Sequence, residues 1–128
     1  MYAEDFREFA FEKFGVKFLE KSDKKITVDI KRTMKNEKDH KIVIESDFIK
    51  IVGASAFGVM SAFYSLINMA QSCGTLSFEK KRYDKKTVFK THIIYSFCGI
   101  YSDMMDAHNS VSFPEELLKE SASKGFWE

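Results

Sequence analysis

The sequence predicts an α+β fold: a mixed, mostly antiparallel sheet with helices packed on it, plus a C-terminal strand-helix extension. Three observations carry this. Apolar residues recur at helical spacing over 2–14 and fill a second helical stretch from Ser55 to about Ser72. Strict alternation over 25–31 and a pair of short apolar runs flanking Ser46-Asp47 read as strands. A near-continuous apolar run over 92–101, followed by a Pro-led helix, supplies the extension.

In residues 2–14, Tyr2, Phe6, Phe9, Ala10 and Lys13 fall at helical spacing, and Phe11 and Phe14 widen the stripe. Glu4, Asp5 and Glu8 sit where the helix dipole favours acids, and Gly15 suits the left-handed residue that ends a helix. The aromatic stripe reads as core or interface. Over 25–31, Ile26, Val28 and Ile30 face one way and Thr27, Asp29 and Lys31 the other, which predicts a half-buried strand with one wet face. Residues 33–40 show no periodicity and read as a loop. Lys41–Glu45 and Phe48–Val52 form a hairpin across Ser46-Asp47, without the favoured Gly.

Ser55 is the N-cap expected for the central helix, with Gly74 beyond its end. Gly58, Ser61, Ser65, Asn68 and Ser72 line one narrow stripe, and the other faces are apolar. No charged residue occurs from Ile51 to Phe78, so burial on nearly all sides is expected, with a further layer from a partner chain or another domain. The polar interruptions argue against a membrane span. Thr75–Glu79 reads as a short strand, Lys80–Lys86 as a charged loop and Thr87–Phe89 as a further strand. The helix opening at Phe113-Pro114 runs to about Ser123, and Phe126-Trp127-Glu128 reads as the start of another strand.

Composition narrows function by exclusion. At 128 residues the chain has the length of one domain, and 45% hydrophobic residues exclude disorder. Twenty basic and 19 acidic side chains lack the charge that drives nucleic-acid binding. The basic run Lys80, Lys81, Arg82, Lys85, Lys86, Lys90 is interrupted by Glu79 and Asp84 and reads as a solvated connector, so no nucleic acid and no membrane is expected as a partner. Charges spread through the first twenty residues leave no secretory core. The expected location is cytoplasmic, unless the chain starts after its signal. Cys73 and Cys98 fit buried thiols in a reducing compartment. Asp103, Asp106 and His108 cluster in one loop, short of the four to six ligands of a competent metal site. No Gly-x-Ser-x-Gly elbow surrounds Ser96 or Ser102. No catalytic residue, metal or cofactor is expected.

The stretch Glu37–Leu66, EKDHKIVIESDFIKIVGASAFGVMSAFYSL, contains Ile49-Lys50-Ile51-Val52-Gly53 followed by Gly58, Ala62 and Leu66. This pattern resembles the N-terminal accessory domain of glycoside hydrolases related to β-N-acetylhexosaminidases and α-glucuronidases. Thr91–Asp103 is similar to the first strand of the catalytic barrel that follows that domain, and Phe113–Trp127 to the next helix and strand start. Thr91-His92 stands where the family usually has an Arg. The resemblance implies an accessory α+β domain over 1–90 and a barrel-opening segment over 91–128. It implies a non-catalytic accessory domain or truncated fragment of a carbohydrate-active hydrolase, because two carboxylates held at a set separation need later barrel strands. Tyr101 and Asp103, at the carboxyl end of a barrel strand, would touch a sugar hydroxyl. The implied partners are a catalytic barrel domain or a second copy of the chain, with carbohydrate as a ligand. The alternative is a free-standing module that homodimerises through excess apolar surface.

Overall fold

The computed structural model describes residues 2–88 and 118–121. The chain divides into two compact units, Met1–Val88 and Phe89–Glu128, and every element named below belongs to the first. In the second, residues 118–121 are helical, inside the helix expected there; the strand expected over 92–101 lies outside the described residues.

The elements run α1 (Tyr2–Phe14), β1 (Lys25–Ile30), β2 (His40–Ile44), β3 (Phe48–Gly53), α2 (Ala56–Cys73) and β4 (Lys81–Lys85). The arrangement is α+β. The four strands form one mixed sheet in the order β1-β3-β2-β4. β1 runs parallel to β3, whereas β2 is antiparallel to both β3 and β4. The Ser46-Asp47 turn closes as expected, with the Glu45 N–H donating to the Phe48 carbonyl at 2.9 Å.

Register decides which side chains meet the helices. Ile26, Ile49 and Ile44 form one cross-strand row, and Val28, Ile51, Ile42 and Tyr83 form the next. Ile42, Ile44 and Ile51 are buried under Val59, Phe63 and Leu66 of α2, with Phe6 of α1 closing the cluster. A fully buried residue of this size is worth about 1.5–3 kcal/mol relative to exposure. The opposite face carries charge: Lys50 meets Asp29 at 2.8 Å and Lys41 meets Asp84 at 3.1 Å. The Lys50 ammonium, hydrogen-bonded to Asp29, holds that carboxyl below its ordinary value.

Both helices end as their sequences direct. Gly15 takes φ +67° and its N–H returns to the Phe11 carbonyl at 2.9 Å, while Gly74 takes the same φ after α2. Ser55 caps α2, accepting from the Phe57 N–H at 3.0 Å.

Several expectations are corrected. The charged stretch after residue 80 is a strand, because β2 offers it an edge and its side chains stay wet apart from Tyr83. Residues 75–79 form no strand, although Leu76 and Phe78 do pack against the core. Thr87 and Val88 form no strand either; Phe89 lies outside the described residues. On β1 only Ile26 is partly covered, while Val28 and Ile30 are 45% and 55% exposed because the helices lie mainly over β2 and β3. Cys73, the last residue of α2, is exposed, and Cys98 lies outside the described residues. α2 buries Gly58, Val59, Ala62, Phe63, Leu66, Ile67 and Ala70, but Phe57 remains 49% exposed.

Two glycines set how closely α2 approaches the sheet. A Cβ on Gly53 would lie 2.6 Å from the Val59 nitrogen, and one on Gly58 would lie 2.6 Å from the Asp39 carbonyl oxygen. Helix propensity alone favours Gly58→Ala by about 1 kcal/mol. Here the obstructing atom is backbone, held by the Ala54 N–H at 2.9 Å. The clash wins, and Gly58→Ala lowers stability by about 1–3 kcal/mol, read as a lower urea midpoint at unchanged slope.

Candidate functional site

The densest polar arrangement among the described residues lies where the loop before β2 meets the first turns of α2. Lys38, Asp39 and His40 are all buried there. Asn36 and Asp39 close the loop on itself: the Asn36 N–H donates to Asp39 Oδ2 at 3.1 Å, and the Lys38 N–H donates to Asn36 Oδ1 at 3.1 Å. The second Asp39 oxygen, Oδ1, accepts the Thr87 N–H at 2.7 Å, fastening the segment that leaves β4. The Asp39 carbonyl accepts the Ala54 N–H, and the Ser55 hydroxyl donates to the Glu37 carbonyl at 2.8 Å. One aspartate and one serine therefore join three places in the chain: the loop, the entry to α2 and the exit from β4.

His40 is the one imidazole in the described residues. Its Nδ1 lies 3.1 Å from the Lys38 carbonyl, which only accepts, so Nδ1 carries a proton. Its Nε2 lies 3.3 Å from Ser65 Oγ. That hydroxyl is also 2.9 Å from the Ser61 carbonyl. With His40 neutral, Ser65 donates to Nε2; with His40 protonated, Nε2–H donates to Ser65, whose own proton turns to Ser61. Burial holds the imidazole below its ordinary value, and the facing Lys85 pushes the same way, against the Lys38 carbonyl and Asp39. Elsewhere on α2, Ser61 donates to the Phe57 carbonyl at 2.9 Å and Ser72 to the Asn68 carbonyl at 2.8 Å.

The chemistry of this cluster is structural. Both Asp39 oxygens hold backbone N–H groups, both His40 nitrogens are engaged, and no buried side-chain N or O among the described residues lacks a partner. Among the described residues no group of His, Cys, Asp and Glu has metal-binding geometry, and no helix is long and apolar enough to cross a membrane. Tyr101 and Asp103, the expected sugar contacts, lie outside the described residues, as do Asp106 and His108. Periodicity missed the buried Lys38-Asp39-His40 group. The available signal was Asn36 three residues before Asp39, the pairing of a self-closing turn.

With this geometry in place, comparison with solved structures finds a likeness. The fold is found in a glycoside hydrolase. That structure is a GH138 enzyme targeting pectin rhamnogalacturonan II, matched with a TM-score of 0.53 at 19% identity over 65% of this chain. The chain spans 12% of that enzyme's length. No family model matches the sequence, and no curated protein matches it.

Two outcomes test the cluster. Asp39→Ala strands the Thr87 and Asn36 N–H groups and lowers stability by about 1–3 kcal/mol in urea unfolding. His40 binds protons more readily unfolded than folded, so its contribution is full above the ordinary value of 6.5 and declines as pH falls from there toward its folded value. Below about pH 6.5 this group lowers stability as pH falls, by at most about 1.4 kcal/mol per pH unit. His40→Gln flattens that slope.

Proposed function

We propose that this chain is a non-catalytic accessory domain, or a fragment carrying one, of a carbohydrate-active glycoside hydrolase, and that its task is to brace a catalytic barrel. The observation that carries the reading is a fold shared with a small part of a much larger glycoside hydrolase, in a unit whose own polar cluster is spent on holding backbone together. A brace needs a rigid α2 and a fixed exit after β4. Asp39 supplies both, through its carbonyl at the α2 entry and its carboxylate at Thr87.

In this reading Tyr101 and Asp103 belong to the first barrel strand and contact sugar only once later strands complete a pocket. Glycoside hydrolysis needs a pair of carboxyl groups roughly 5–10 Å apart across the scissile bond, and a single strand-helix unit does not present such a pair. The uncharged outer side of α2, with Phe57 exposed, is the surface suited to a neighbouring domain.

The test is an assay of the full 128-residue chain against a panel of aryl glycosides, combined with the DNA sequence downstream of the last codon. The expected result is no turnover above the uncatalysed rate and a reading frame that continues into strand-helix repeats with acidic strand ends. Robust turnover by this chain alone overturns the non-catalytic reading. A stop codon directly after Glu128 overturns the bracing role.

A further inference from the structure

We infer that the open edge of β1 is an interface with a second copy of this chain, in which two β1 strands pair antiparallel about Thr27. The inference does not depend on the glycoside hydrolase reading.

β1 ends the sheet: among the described residues it pairs with β3 alone. The Lys25 N–H reaches the Asp47 carbonyl at 3.0 Å and the Lys31 N–H reaches the Gly53 carbonyl at 2.8 Å, both toward β3. Alternation along the strand turns the N–H and C=O of Ile26, Val28 and Ile30 to the open side. Val28 and Ile30 add exposed apolar surface there. A bare edge of this kind is a template for another strand.

The charge pattern names the occupant. Reading alternate residues along β1 and its continuation gives Lys25, Thr27, Asp29 and Lys31. Reversed about Thr27, acid meets base: Lys25 faces Asp29 of the copy, and Asp29 faces its Lys25. Thr27 meets Thr27 on the two-fold axis. On the other face Ile26 meets Val28, and these two residues exchange edge hydrogen bonds in both directions. The neighbouring registers are disfavoured. Pairing about Val28 sets Lys25 against Lys31, and pairing about Asp29 sets like carboxylates face to face. Charge therefore selects one register, since opposite charges directly across strands stabilise and like charges do the reverse. Asp29 is already bonded to Lys50 on its β3 side and is 49% exposed, so it can take a second cation from the open side, whereas among the described residues no ion pair joins Lys25.

Sedimentation of the full chain at about 100 µM tests this, a concentration that populates a dimer of micromolar affinity. The expected species is a dimer. Lys25→Glu and Asp29→Lys each set like charges opposite one another twice and weaken association about ten-fold or more, while their equimolar mixture restores it as a heterodimer. Val28→Pro removes an edge donor without touching the β3 ladder, and it also yields monomer with an unchanged far-ultraviolet spectrum. Thr27→Cys, in a chain with Cys73→Ser and Cys98→Ser, oxidises to a disulfide-linked dimer. A wild-type monomer at this concentration overturns the inference, as does a dimer indifferent to the two charge reversals. A mixture that fails to reassociate, or a Thr27→Cys chain that stays uncrosslinked, overturns the register.

Discussion

The structure depends on a backbone-to-backbone approach between the first turn of α2 and the loop that precedes β2. Gly58 lies where any side chain would run into the Asp39 carbonyl, and Gly53 lies where one would run into Val59. Because no side chains separate these segments, the Asp39 carbonyl, the Ala54 N–H and the Ser55 hydroxyl come within hydrogen-bond reach. That contact sets the height of α2 above β2 and β3. It thereby decides whether Val59, Phe63 and Leu66 fit over Ile42 and Ile51. The apolar core is the larger energy, yet its fit is governed by two residues that contribute almost no surface.

Much of this was readable in advance where one physical signal acts alone. Ser55 and Gly74 mark the ends of α2 because capping chemistry is local. The β2–β3 hairpin follows from two apolar runs and a short polar gap. β4 was illegible because an edge strand with wet side chains has the composition of a loop; only the partner strand reveals it. The stretch 75–79 misled in the opposite sense. Leu76 and Phe78 do turn inward, but they pack on the core as coil without joining the sheet.

The polar cluster shows the same limit from the side of chemistry. Lys38, Asp39 and His40 look like surface residues in a charged loop, and that loop is held by bonds from Glu37, His40 and Asp39 to Ser55, Ser65 and Thr87, which lie 18 or more positions away in the chain. The glycines and serine of the Ile49–Leu66 pattern were legible as a tight strand-to-helix passage. What lay beneath that passage was not, since hydropathy describes what a residue prefers and not which backbone group has room for it.

The serines on the outer side of α2 alter what that surface presents. Ser61 and Ser72 each give their single hydroxyl hydrogen to a carbonyl one turn back on the same helix. Water meeting them finds an oxygen to approach but no proton to receive, so their hydration is thin. By composition Ser61 and Ser72 count as hydrophilic, yet as donors they are already spent. A neighbour that covers these two hydroxyls has no donor to satisfy and need offer only hydrogens to their oxygens.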